Sequence, residues 1–433
     1  MLLSRVHAMS MISGDFPGWP ENGCRLLLTL GVMFPLAHIA AAAEPVVAVP
    51  AAPYRAPYLP RADSEILQKV APATDPAVRE IDGLRAKLNG DRGSFRVAHE
   101  LARAYIEYGR QVGDARYMGY AEAVLAPWLA TAQPPVTVLV TQATILQYRH
   151  QFAAARAMLQ SAVTRSSRNT QAWLSLATLD MVQGDYGSAA DDCSQVARTG
   201  GRLLGLACTG NLRSYVGQAE QSVALLTQVA VDSASLPAPF KAWVQGLLAE
   251  SAERLGQWDK AETAYKSALG YTPQDNFLLV AYADFLLDRG RPREVLGLLN
   301  DYAESDTAFL RLALAHAALR SPLAERYTWI MAARFAAYAQ RGAEFFGREQ
   351  ARFALQLQHD PQTALDLAKR NWDAQRAPWD ARVLLEAARA AGQPQAAVAV
   401  LSFLRQTGLQ DPIIEPLARA LEAQIGGNSA AGS

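Results

Sequence analysis

Residues 242–275 read AWVQGLLAESAERLGQWDKAETAYKSALGYTPQD. Numbered 1 to 34 from Ala242, the stretch puts Leu248 and Ala249 at 7 and 8, Gly256 at 15, Trp258 at 17, Ala261 at 20, Tyr265 at 24, Ala268 at 27 and Pro273 at 32. Apolar residues recur at three- and four-residue spacing on both sides of Gly256, the period of a helix with a buried face. Glycine stops the first helix and proline closes the second, so the spacing predicts two helices joined by a short turn. A helix pair this small cannot bury its apolar face alone, and successive pairs must stack.

The same ruler fits neighbouring segments. From Val136 it places Ala143 at 8, Phe152 at 17, Ala155 at 20, Leu159 at 24 and Ala162 at 27. Thirty-four residues on, from Thr170, it places Trp173 at 4, Leu176 at 7, Ala177 at 8, Gly184 at 15, Tyr186 at 17 and Ala189 at 20. Residues 203–237 carry Gly217 at an internal turn; a unit from Asn276 has Ala283 at 8 and Gly290 at 15, with Pro292 departing at 17. A last unit, 378–410, has Gly392, Ala397 and Leu401 at 15, 20 and 24. This pattern resembles the tetratricopeptide repeat (TPR), and the stretch 113–121 followed by Pro127 and Trp128 resembles exported bacterial members of that family. The resemblance implies an all-α fold, a right-handed superhelix of stacked antiparallel helix pairs, whose small residues at 8, 20 and 27 let helices approach closely. Less regular helices are expected at 94–110, 115–130, 306–319, 323–341, 343–358 and 361–375, continuing the stack through 77–425.

The chain has 433 residues, half of them hydrophobic and 19% charged, which suits a folded body. Lys plus Arg and Asp plus Glu both number 41, a balance that gives no drive toward nucleic acid. Residues 1–43 place Arg25 ahead of the apolar run 26–36 and end on Ala41, Ala42 and Ala43, which reads as a signal peptide cleaved before Glu44. The alternative is an uncleaved inner-membrane anchor, through which alone the chain would meet a membrane. Seven prolines lie between Pro45 and Pro76, so 44–76 reads as an extended tether. Residues 426–433, rich in Gly, Ser and Ala, read as a flexible tail. The expected location is therefore periplasmic or otherwise exported.

Motifs of catalysis are missing. His99 and Glu100 are followed by Arg103 where a second metal-binding histidine is required, and no Gly-Lys pair supports a phosphate loop. No cofactor, metal or catalytic residue is assigned, and His99, His150, His316 and His359 read as packing or surface residues. Cys193 and Cys208 are equidistant from the turn at 200–201, so in an antiparallel hairpin they face each other, either as a disulfide or as two small buried thiols. The expected partner is a protein or peptide, held on the concave face that the resemblance implies. That face would carry Thr144, Gln147, Tyr148, Gln171, Leu174, Thr178, Met181, Gly246, Glu250, Glu253, Arg254, Asp284 and Asp288. Leu174 and Thr178 stand where carboxylate-clamping repeats carry Lys and Asn, which disfavours that mode. Arg334, Arg341, Arg348 and Arg352 read either as a basic patch or as solvated partners of Glu344 and Glu349. Trp372 and Trp379 read as packing between repeats.

Overall fold

The computed structural model describes residues 75–340 and 347–431. Residues 1–43, expected to be a signal peptide, Arg341 and Glu344 fall outside the described residues, as does the expected tether up to residue 74. Among the described residues there are twenty α-helices and no strand. In chain order they are α1 (Pro76–Gly90), α2 (Phe95–Val112), α3 (Arg116–Leu129), α4 (Val136–Tyr148), α5 (Phe152–Arg165), α6 (Thr170–Gln183) and α7 (Tyr186–Gly200). There follow α8 (Arg202–Arg213), α9 (Ala219–Asp232), α10 (Ala238–Arg254), α11 (Trp258–Tyr271), α12 (Asn276–Asp288), α13 (Pro292–Leu299) and α14 (Asp306–Ala318). The last are α15 (Ala324–Gln340), α16 (Gly347–Gln356), α17 (Pro361–Ala374), α18 (Pro378–Ala390), α19 (Val398–Thr407) and α20 (Ile414–Ala431). Helix α20 runs through Gly426 and Gly427, where the composition suggested a flexible tail.

The fold is an α-solenoid of stacked helix pairs. From α2 to α19 each even-numbered helix pairs with the odd-numbered one after it, and the first helices of successive pairs also touch, as α4 does α6 and α6 does α8. Local chemistry sets the ends of the helices. The side chains of Asn169, Asp275 and Asp360 accept hydrogen bonds from the first-turn amides of α6, α12 and α17, and Pro292, Pro361 and Pro378 sit in first turns that need no amide donor. Gly184 ends α6 at φ +78, the left-handed conformation glycine tolerates best.

First and second helices differ in burial. The second helices α5, α7 and α11 bury one face. In contrast α4 is buried without a break from Val138 to Gln147, α6 from Leu174 to Val182, α12 from Leu278 to Leu286 and α14 from Ala308 to His316. Nine or ten consecutive buried residues cover every side of a helix, so these helices are surrounded.

Two sets of contacts close them in. Near the N-terminal end of the solenoid α2 packs against α12, Gln111 hydrogen-bonds Gln274, and Gly113 lies against Ser305. Near the other, residues 375–411 cross the C-terminal ends of the first helices. Gln375 meets His150 at 3.1 Å, the Arg376 amide donates to the Val182 carbonyl at 2.7 Å, Phe403 meets Tyr186 with ring centroids 5.9 Å apart, and the Ala219 amide donates to Gln410 at 3.2 Å. A Cβ on Gly217, whose φ is +70, would stand 2.7 Å from the Gly408 carbonyl oxygen, so that crossing requires glycine.

Candidate functional site

The residues expected on an open groove are mostly interior. Thr178 is buried, with its hydroxyl donating to the Leu174 carbonyl at 2.9 Å. Met181, 1% exposed, takes a hydrogen bond from Asn211 of α8 on its sulfur. Gln171 is half-buried against Ser175, and Gln147, also 1% exposed, donates to the Ser175 carbonyl at 3.3 Å. Leu174 and Gly246 are buried. The reason is the close approach of neighbouring first helices, which turns the inward face into core.

Beside the crossing segment the inner helices end in charge. Arg254 donates to Ser214 at 2.9 Å, stacks over Tyr215 and lies 3.8 Å from Glu250. Burial pushes the Glu253 carboxyl up to about 8, against a hydrogen bond from Tyr265. Asp288 accepts a two-pronged pair from Arg382 of α18 at 2.7 and 2.8 Å. Asp284, 2% exposed, holds Arg311 of α14 and Arg352 of α16, each at 2.7 Å. Burial alone would raise the Asp284 carboxyl, but Arg311 and Arg352 outweigh it and hold it below the ordinary range. The network continues through Arg348, which meets Glu349 at 3.0 Å and Asp380 at 3.4 Å, while Asn371 donates to Asp380 at 2.9 Å.

Arg348 and Arg352 are therefore neither a basic surface nor solvated; they are buried counter-ions. Arg334 pairs with Asp306 at 2.8 Å. Arg352 and Arg382 both lie over the Trp379 ring, 4.5 and 4.2 Å from its centre. Trp372 packs edge-on against Phe403. Sequence reading missed Arg311, Asn371, Gln375, Asp380 and Arg382. The available signal was the composition of α12 and α14: NFLLVAYADFLLD and DTAFLRLALAHAA have no polar stripe for a groove, and each carries a single charge deep in an apolar run.

Thr144, Gln147 and Tyr148 line a cavity of about 480 Å³. Its walls combine Ile106, Met118, Phe277 and Val280 with Glu107, Arg110, Asn276 and Asp306, and Arg348, Glu349, Gln375 and His150 border it on the side of the crossing segment. Burial lowers His150 to about 3, which leaves the imidazole neutral, and raises the Tyr148 hydroxyl. Among the described residues no group of three or more His, Cys, Asp or Glu side chains is placed to hold a metal ion.

Cys193 of α7 and Cys208 of α8 form a disulfide with their Cα atoms 5.5 Å apart. The helices touch closely there: a Cβ on Gly205 would stand 2.3 Å from that of Ala197.

No family model matches the chain, and no curated protein matches it. Solved structures of helical proteins do. A TPR protein from Parabacteroides merdae shares 12% identity over 71% of this chain and 99% of its own, with a TM-score of 0.34. Yeast Tom70 shares 10% over 80% of this chain and 86% of its own, at 0.38. The human IFIT1 dimer with m7Gppp-AAAA shares 12% over 76% of this chain and 86% of its own, at 0.42. None of these similarities is strong enough to transfer a function.

Proposed function

We propose that this protein is an exported scaffold that binds a peptide segment of a partner protein at its inner helices and has no chemistry of its own. The observation that carries the reading is the cavity of about 480 Å³, walled by first helices from both ends of the solenoid. It is space along the inner helices that the side chains of the described residues do not fill. Its mixture of apolar wall and amide, hydroxyl and charged groups suits a peptide, which offers apolar side chains beside backbone donors and acceptors. A receptor whose lining helices are buried on all sides is preorganised, so little ordering entropy opposes binding.

Export is supported by the leader-like composition of 1–43 and by the Cys193–Cys208 bond, which persists in an oxidising compartment. Among the described residues no helix is long and apolar enough to cross a membrane.

The test is selection of peptides from a random library on the full chain, followed by measurement on two variants, Thr144→Phe and Val280→Phe, that fill the cavity. The expected result is at least a tenfold loss of affinity in whichever variant keeps the wild-type circular dichroism and melting behaviour. Equal affinity in a folded variant would place binding elsewhere and overturn the reading.

A further inference from the structure

The last hairpins have a core of their own. Ala351, Leu365, Trp372, Leu384, Leu385, Leu401 and Leu421 belong to one apolar cluster, distinct from the large one that runs from Leu139 to Ala315 and takes in Ala377 of the crossing segment. Between these two clusters the seam is largely polar. Its contacts include the Arg352–Asp284, Arg382–Asp288 and Arg311–Glu349 pairs, the Gln375–His150 and Gln410–Ala219 hydrogen bonds, one backbone bond at Val182, and the aromatic contact of Phe403 with Tyr186. An interface of this composition resembles a contact between domains more than a core. Buried ion pairs contribute little net stability once desolvation is counted, yet they fix which surfaces meet. In the two closest ion pairs of the seam the acid comes from α12, as Asp284 and Asp288, and the arginine from α16 and α18, while Arg311 shares Asp284 and Glu386 shares Arg382. The inner helices also point their C-terminal carbonyls at the seam, which adds partial negative charge on the same side.

We propose that the seam is displaceable, and that the acidic end of α12 is a docking surface for an arginine-bearing helix of the partner, for which α18 is the built-in stand-in. This rests on the scaffold reading above and names the chemistry of its partner. On α18 the recognition unit is Trp379 and Arg382, three residues apart and hence on one helix face, with Arg382 forked onto Asp288 and the indole stacked against guanidinium. A partner helix presenting a guanidinium at that position would replace one charge-assisted pair by an equivalent one, so exchange costs little. An acidic helix would leave Asp284 and Asp288 opposed by like charge.

The test uses the full chain and a synthetic peptide copying residues 377–391, labelled for fluorescence anisotropy. Arg382→Glu breaks the closing pair, and Arg382→Glu combined with Asp288→Arg restores it with reversed sign. The peptide is expected to bind Arg382→Glu at least tenfold more tightly than wild type. A peptide with Arg382 replaced by Glu is expected to lose that gain, and the reversed-sign variant to return to weak binding. Amide exchange in α17 to α20 of the wild type is expected to be faster than in α10 and α12, and to accelerate further in excess peptide. Because this second measurement needs no variant, it stands if Arg382→Glu fails to fold. Equal peptide binding by wild type and a folded Arg382→Glu would overturn the proposal, as would uniform exchange unaffected by peptide. A cavity-blocking variant that loses selected peptides while the seam stays shut would sink the arginine-helix surface and leave the scaffold reading standing.

Discussion

Asp284 shows how much can rest on one side chain. It is the common acceptor for Arg311 and Arg352, both nearly without exposure. Removing the carboxylate leaves two buried guanidinium groups short of a counter-ion, so Asp284→Ala is expected to destabilise the protein by about 3–5 kcal/mol in urea denaturation. A loss under about 1 kcal/mol would mean that water reaches the network. Glu253 works in the opposite sense. Burial raises its folded-state value from 4.5 to about 8, so between those values the folded protein keeps a proton that the unfolded chain has released. Its contribution is complete below about pH 4.5 and is lost as the pH rises through about 8. Asp192, also raised to about 8 by burial beside Asp180, adds to that slope. Glu253→Gln is expected to raise stability at pH 8 by about 1–3 kcal/mol relative to pH 5; an unchanged pH profile would show that the carboxyl is solvated. The packing residues were legible from spacing alone: Ala143, Ala155, Ala177, Ala189, Ala249, Ala261, Ala268 and Ala283 all have 0% exposure. The charged interior was not, because an aspartate on an apolar helix reads the same from sequence whether it faces a groove or a buried arginine.

Among elements, type and order were readable, and the ends less so. The expected 94–110, 306–319 and 361–375 appear as α2, α14 and α17 within two residues at each boundary. Helix α10 starts at Ala238, four residues before the ruler set on Ala242, because Pro237 and Pro239 permit a first turn that the periodic pattern does not mark. Pro292, out of register in its unit, opens α13 and accompanies its shortness, eight residues. Helix α1 lies inside the stack expected over 77–425, although no individual helix was marked there. The α7–α8 pair carries the covalent link, which its spacing favoured over two free thiols. With a sequence separation of 15 between the cysteines, loop closure gives about 3 kcal/mol. The double variant Cys193→Ser, Cys208→Ser is expected to lose about that much stability and to match the reduced wild type; equal stability of oxidised protein and variant would show that the link closes no entropy gap.

At the scale of the whole solenoid, closure depends on small rotations that accumulate from hairpin to hairpin, and no single 34-residue unit encodes them. The sequence therefore supports stacked pairs without saying whether the inner face stays open. The missing polar stripe in α12 and α14 is the trace closure leaves, and it becomes interpretable once every side of those helices is seen to be covered. The central claim is that the last hairpins lie across the ends of the inner helices, and Tyr186 and Phe403, far apart in the chain with ring centroids 5.9 Å apart, mark the crossing. A benzoylphenylalanine placed at position 186 of the full chain and irradiated should yield an intramolecular cross-link to the peptide containing Phe403, recovered by digestion and mass spectrometry. Cross-links confined to α6 through α9, with none to residues 372–411, would contradict it.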